Sequence, residues 1–455
     1  MTALRVAASV PMPLLHDEAY YWLWSRRLAW SYMDHPPLIA YLIRLSTTAG
    51  DGAFWLRLPA LVLGVVGALV LFRLGREMFD ERVAFLAVVL YQVTPALGGF
   101  GSFATPDAPM YVAWMATLLF VWQAMHGRPD RWWLAGAALG AGLLSKLYAV
   151  FLGAGLLLYL GLEGRAWLRR REPYQGAVVA AACLVPVVYW NWSHNWAMVR
   201  FLLGSRASLG ATPGWMAVVR LVTEHLPLAL LMLPALLWAV WAAWRRRGDA
   251  RFAYLLWTSL PALLVPLLLA PTGAARGHHP GPAYIGLALV LAAVWSRAIG
   301  ILAAGNAALL AAFTATVLVP WLPPPPAARD YYGWPEAGSR AAQEVRALGP
   351  GAVLAADRYQ VAAQLGYFTR DTLPVVLFPQ PGPGAIWAAP SAHAGAAAVA
   401  IVYAPERFSW EGCFRRVQER PRITVPLRGR TVQEFRVFRL YGLNPACDGA
   451  ANRNP

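Results

Sequence analysis

Lysine is almost missing from this chain: of 39 Lys+Arg residues one is a lysine, Lys146, and 38 are arginines. Charge is scarce as a whole, at 14% of 455 residues against 58% hydrophobic, with a mean hydropathy of +0.45. Soluble domains carry about a quarter charged residues, so the composition excludes an ordinary soluble protein and points to an integral membrane one. Cysteine is scarce too, and the three residues show none of the paired spacings of a metal site. Cys183 falls in an apolar run, whereas Cys413 and Cys447 lie in the tail and can pair if that tail is extracytoplasmic. No P-loop, no GxGxxG after a strand, no GxSxG and no HExxH is present. Nucleotide hydrolysis, dinucleotide redox and zincin chemistry therefore lack support. The formal charge of +16 does not signal nucleic acid, because the arginines stand singly or in short clusters between apolar runs.

What is present is a succession of apolar segments. Residues 1–15 are apolar but too short for about 30 Å of hydrocarbon at about 1.5 Å per residue, and read as a short or truncated first span. A cleavable signal would need a polar n-region and an A-x-A site, and neither is there. Spans are expected near 52–73, 83–100, 108–125, 132–145, 147–162, 174–192, 219–244, 252–271, 281–296 and 299–319. With the first they make a bundle of about 11. The two around Lys146 read as a broken pair meeting at Ser145-Lys146 or as one long tilted helix. Arginine clusters at 73–82, 128–131, 165–171, 245–251 and 297 occupy alternate loops, which the positive-inside rule makes cytoplasmic. That parity holds only with a break at Lys146. The opposite, extracytoplasmic side then receives 16–51, 101–107, Lys146, 193–218, 272–280 and everything after Pro320.

The domain boundary falls at the stiff Pro323–Pro326 stretch, separating a membrane domain, 1–322, from a C-terminal domain, 323–455. The latter reads as a small α/β or α+β fold of roughly 120 residues. Helices are expected at Glu336–Leu348 and Tyr359–Phe368, and strands at Ala352–Ala356, Val375–Phe378, Ala397–Tyr403 and Glu434–Leu440. In the first extracytoplasmic loop, Asp17–Trp30 suits a helix lying in the membrane interface, with Tyr21, Trp24 and Leu28 at helical spacing. Pro36-Pro37 interrupt it, and an amphipathic segment, Leu38–Thr47, follows.

All the acidic and histidine clusters fall on one side. Asp17-Glu18 and Asp34-His35 lie in the first loop, Asp107 at the mouth of a span, and His278-His279 before another. A carboxylate at membrane depth costs about 2.5–3.5 kcal/mol on insertion scales and defaults to a functional candidate. Asp107 also suits a helix start after Pro106, and Glu18 suits the first turn of its helix, where the macrodipole favours it. Lys146 is the one ammonium retained in an arginine-rich chain, inside an apolar run. Lys146, Arg206, Arg276 and the His278-His279 pair would make a cationic pocket for a phosphate. Asp34, His35 and His279 are the candidates for a divalent cation, without a fixed ligand spacing. Outside the cytoplasm no nucleotide sugar is supplied, so an activated substrate there is lipid-borne.

The runs DEAYYWLWS, YMDHPPLIAYLIRL, FATPDAPMYVAW, LLSKLYAV, VVYWNWSHNWAMVRFLLGSR and GHHPGPAY, in this order, resemble bacterial family-39-type glycosyltransferases. These group with the protein O-mannosyltransferases and the lipid A aminoarabinose transferase. The resemblance covers roughly residues 15–300 and implies a GT-C fold, a polyprenyl-phosphate-sugar donor and inverting transfer on the periplasmic face of the bacterial inner membrane. It implies no nucleotide cofactor, and a divalent metal as an optional one. Asp17 matches the catalytic first-loop aspartate, Asp107 the second acidic position, and Asp34-His35-Pro36 an acidic-basic-Pro motif in which His replaces the usual Lys. Lys146 matches a lysine facing the donor phosphate, and His278 or His279 a late loop histidine. Arg206 and Tyr21 complete the phosphate-binding set. The expected acceptor is a lipid A or other glycolipid glycan, or a protein; a lipid-linked-sugar flippase is the alternative.

Overall fold

The computed structural model describes every residue except 99–100, 208–213, 230–231, 273–274, 320–321, 323–325, 379–385, 428, 445–446 and 448–455. It packs as two compact units. The first comprises Met1–Ser9, Trp30–Leu42 and Arg57–Thr314, and the second Val10–Ala29, Ile43–Leu56 and Ala315–Pro455.

The first unit is helical. From the long helix Ala53–Met78 the chain runs through Glu81–Val93, Asp107–Met125, Arg131–Ser145, Val150–Leu162, Glu172–Cys183 and Val185–Ser193. It continues through Ala197–Ala207, Gly214–Ala229, Leu233–Arg245, Ala250–Leu269, Ala283–Val294 and Ser296–Leu318. Among the described residues five helical segments are long and apolar enough to cross a membrane: Ala53–Met78, Asp107–Met125, Glu172–Ser193, Ala250–Thr272 and Ile299–Thr316. Leu147–Leu162 and Ala283–Val294 are apolar but shorter. Contacts between helices depend on small residues, as expected where lipid gives no hydrophobic drive for association. A Cβ on Gly136 would sit 2.0 Å from the Gly176 carbonyl oxygen, so Arg131–Ser145 and Glu172–Cys183 touch backbone to backbone. Helix starts are capped locally, Asp80 accepting from the Val83 N–H at 2.8 Å and Asp249 from the Arg251 N–H at 2.9 Å.

Of the two readings around Lys146, the structure has the broken pair. The helix Arg131–Ser145 ends there, with Lys146 extended (φ −151°, ψ 125°) before the chain turns into Val150–Leu162. Ser145 Oγ donates to the Pro106 carbonyl at 2.5 Å, fixing the break against the start of Asp107–Met125. The span expected over 219–244 appears as Gly214–Ala229 and Leu233–Arg245 on either side of two residues outside the described ones.

The second unit is built on a five-stranded sheet of order β2-β1-β3-β5-β4. The strands are β1 (Val353–Ala356), β2 (Val375–Leu377), β3 (Ala398–Tyr403), β4 (Phe414–Leu427) and β5 (Arg430–Leu443). β1 is parallel to β2 and β3, while β5 runs antiparallel to β3 and to β4. The helices Trp334–Leu348 and Tyr359–Phe368 join Leu354, Val399, Ile401, Phe435 and Val437 in one core. All the expected strands are present, but β4 was not expected. Its residues FRRVQERPRITVPL are charged and mostly exposed, Pro421 sits in an irregularity of the ladder, and it is an edge strand, so it lacks the apolar alternation of a buried one. Cys413 and Cys447 form a disulfide.

The helix His16–Arg26 of the first loop belongs to this second unit and lies against Tyr359–Phe368. This corrects the reading of Tyr21 and Trp24 as membrane anchors. Trp24 is fully buried, and Tyr20, Tyr21 and Trp22 nearly so. Tyr20 stacks on Trp387 at 5.0 Å and Trp22 meets Tyr367 edge-on at 5.0 Å. The aromatics fill a protein interior; periodicity alone cannot distinguish that from a headgroup layer.

Candidate active site

In the first unit, three helix ends bring together residues far apart in sequence. Asp107 is the first residue of Asp107–Met125, Lys146 the residue after Arg131–Ser145, and His278 lies in the turn leading to Ala283–Val294. The Lys146 ammonium donates to both Asp107 carboxylate oxygens, at 2.9 and 3.0 Å, and lies 3.3 Å from His278 Nε2. Lys146 and Asp107 are both buried, with side chains 11% and 10% exposed. Burial, and then the nearby Lys146 charge, push His278 down to about 4 and His35 down to about 3, so both rings are neutral at pH 7. A neutral His278 can accept the third ammonium proton, so Lys146 is held from two sides.

Beside this cluster is a cavity of about 220 Å³. Asp34, His35, Lys146 and His279 line it together with apolar side chains such as Phe151, Val265 and Leu269. His279 lies against Tyr148 at 5.3 Å and accepts from the Arg276 N–H at 3.2 Å. Arg276 itself reaches Glu224 at 3.5 Å. The question of which histidine matters thus divides: His278 touches Lys146, and His279 faces the cavity. Asp34, His35 and His279 share that cavity, yet among the described residues no three His, Cys, Asp or Glu side chains converge closely enough to hold a metal ion. The side chain of Arg206 lies outside the described residues.

Asp17 belongs to the second unit. Its carboxylate accepts a hydrogen bond from the Tyr359 hydroxyl at 3.0 Å. Next to it Glu18 is buried and accepts from the Leu15 N–H at 3.1 Å, which is the helix-start role expected of it. Tyr21, placed in the phosphate set from the sequence, packs edge-on against Trp24 at 4.9 Å inside the aromatic core. The residues that hold the Asp17 turn had no sequence signal. Gln364 donates to the Leu14 carbonyl and to His16 Nδ1, each at 3.0 Å, while His16 Nε2 lies 3.3 Å from the Tyr403 hydroxyl. Tyr403 donates to the Asp330 carbonyl, so its oxygen is left to accept from His16 Nε2–H. Both ring nitrogens are satisfied in the neutral form.

A pH dependence follows. Burial lowers His16 from 6.5 to about 4. Between those values the unfolded chain binds a proton that the folded chain does not, so stability is present above pH 6.5 and is lost as pH falls toward 4. Thermal melts of wild type and His16→Gln from pH 7 to pH 4 should show the steeper acid loss in wild type. Equal slopes would remove His16 from the account.

Residues 34–190 match the family model described as dolichyl-phosphate-mannose-protein mannosyltransferase. The chain is 27% identical over 285 residues to lipid A galacturonosyltransferase RgtD of Rhizobium johnstonii, across 61% of this chain and 59% of that protein. It is 26% identical over 263 residues to undecaprenyl phosphate-alpha-4-amino-4-deoxy-L-arabinose arabinosyl transferase 2 of Pseudomonas fluorescens, across 53% of this chain and 44% of that one. The matched stretches thus span about half the length of these relatives. ArnT from Cupriavidus metallidurans, solved bound to undecaprenyl phosphate, superposes with a TM-score of 0.67 at 15% identity, covering 100% of this chain and 97% of that one. The fold is therefore of that GT-C type, helical with a small C-terminal sheet, and the resemblance read from the motifs is borne out.

Proposed function

We propose, on the premise of that shared fold and family segment, that the protein is an inverting glycosyltransferase. It moves a sugar from undecaprenyl phosphate to a glycan acceptor on the periplasmic side of the inner membrane, lipid A being the acceptor class named among its relatives. The observation that carries the reading is the buried Lys146–Asp107–His278 constellation beside a cavity lined by both polar and apolar side chains. An amphiphilic lipid phosphate fits such a cavity, its charge at Lys146 and its chain along Phe151, Val265 and Leu269.

In the reaction the acceptor hydroxyl oxygen attacks the anomeric carbon as the bond from that carbon to the phosphate oxygen breaks. The configuration inverts, and the proton passes to the Asp17 carboxylate acting as general base. Undecaprenyl phosphate leaves without needing a proton, its charge met by Lys146 through the proton that points to His278 when no phosphate is bound. The contact with Lys146 occupies the Asp107 carboxylate in orienting the ammonium, and the first-loop motif makes Asp17 the candidate base. His279, at the cavity wall, completes the phosphate contacts. About 11 spans, with residues 323–455 outside the cytoplasm, remain the proposed topology.

The test is sugar transfer by the purified full chain in detergent from polyprenyl-phosphate sugars to lipid A. Absence of transfer from any such donor, with donor lipid translocated in vesicles, would favour the flippase. The topology has its own check. A cysteine placed in the Arg245–Arg247 loop should resist a membrane-impermeant maleimide added from the periplasm, and labelling there would reverse the orientation.

A further inference from the structure

At the far end of the helix His16–Arg26 from Asp17, the second unit contains a cavity of about 270 Å³. Trp387, Arg27 and Asp371 line it, with Leu23, Pro374 and Ile386. Three features make it a built site. Trp387 is backed by Tyr20, their rings stacked at 5.0 Å and 6° apart, so the indole is a fixed platform. Its N–H is buried without a hydrogen-bond partner among the described residues. On the rim Arg27 and Asp371 are paired at 2.8 Å. Arg370 and Asp371 both stand in the left-handed region, φ 58° and 54°, where a glycine would be less strained, so the backbone pays a small penalty to present these side chains.

The lining itself holds one arginine and one aspartate, and the imbalance of charge lies among the residues next to them. Arg26 stacks over Trp22 at 4.6 Å, and its Nε and Nη2 are buried without partners among the described residues. Arg44 and Arg370 are close enough to depress its proton affinity further after burial, and the carboxylate near them, Asp51, lies 3.9 Å from Arg370. Arg27 pairs with Asp371 and Arg370 with Asp51, and Arg26 and Arg44 beside them leave four positive charges against two negative.

A fixed indole, a planar pair able to donate to and accept from vicinal hydroxyls, and an apolar floor suit the ring of a sugar, with its C–H faces and hydroxyl rim. The volume falls just below the roughly 300–1,000 Å³ of drug-sized sites, as one sugar ring needs. The surplus of arginine suits a phosphate or carboxylate on that sugar. We infer that this cleft is a subsite for an anionic saccharide ring of the acceptor, remote from the transfer point. Ten residues separate Arg27 from Asp17, about 15 Å along the helix at about 1.5 Å per residue. An acceptor bound here and reacting near Asp17 must be an oligosaccharide or a glycolipid headgroup of several units. The inference rests on the transferase reading for its role, and on the cleft alone for binding.

Calorimetry on the full chain in detergent would use a deacylated, bisphosphorylated glucosamine disaccharide as probe, with its dephosphorylated form beside it. The phosphorylated disaccharide should bind at least tenfold more tightly than the neutral one. Arg27→Ala, Asp371→Asn and the cleft-filling Ala388→Phe should each weaken it tenfold or more, with melting transitions confirming that each variant is folded. Where lipid A serves as acceptor, the same variants should raise its KM more than they lower kcat. Unchanged affinity in folded Arg27→Ala and Ala388→Phe would overturn the subsite, as would equal binding of both probes. Binding that obeys these predictions in a protein without transfer activity would uphold the cleft while removing the transferase reading.

Discussion

Asp17→Asn should lower kcat for sugar transfer by two to four orders of magnitude, the usual share of a general base. Asparagine keeps a carbonyl oxygen where the Tyr359 hydroxyl now donates at 3.0 Å, so the helix His16–Arg26 should stay docked on Tyr359–Phe368. The melting temperature and the donor KM should therefore change little. That separation is the reason for choosing Asn over Ala. The measurement is initial-rate transfer from a polyprenyl-phosphate sugar at saturating acceptor, beside a melting curve. A variant that retains wild-type kcat would remove Asp17 from the chemistry.

The second large effect is at Lys146, where one substitution disturbs both stability and function. Lys146→Ala leaves the Asp107 carboxylate buried without the ammonium that now contacts both its oxygens. Breaking a buried pair from one side costs about 3–5 kcal/mol, so this variant should melt much earlier than wild type. Replacing both partners with apolar residues of similar volume is often neutral or stabilising, so Lys146→Met with Asp107→Leu should recover most of that loss. Transfer should not recover, because charge stabilisation at the leaving phosphate, worth about 10²–10³ in rate, is gone from both. Recovery of activity with stability would make the pair a structural element. Lys146→Arg would add a finer reading: the planar guanidinium keeps the charge but changes the donor geometry toward Asp107 and His278, so an intermediate rate is expected.

Much of the molecule was legible in the chain. The apolar runs identified the helices, because a helix that must satisfy its own backbone in lipid has to be continuously apolar. The break at Lys146 followed from arginine parity, an argument about loops and not about contacts. In the second unit, Tyr359–Phe368 was read exactly from its pattern, and strands β1, β2 and β3 from short apolar runs. β4 escaped because an exposed edge strand rich in Arg and Glu carries no apolar alternation. The single lysine pointed to a site before any fold was known, since an isolated ammonium in an apolar run needs a partner.

Which partner it has was a matter for the tertiary structure. Asp107 and His278 stand 39 and 132 residues from Lys146, and no local periodicity encodes their meeting. Tyr359 lies 342 residues from Asp17, and with that contact the candidate base becomes part of the C-terminal unit. The sequence by itself determined the membrane class, the family resemblance and the candidate residues, because composition and period respond to solvent. Only the folded chain decided that Asp107 is already paired, that Tyr21 and Trp24 are core rather than headgroup anchors, and that Asp34, His35 and His279 share a cavity without converging. Pairings of this kind depend on which helix ends and strand edges come together, and a linear chain carries that information only through its fold.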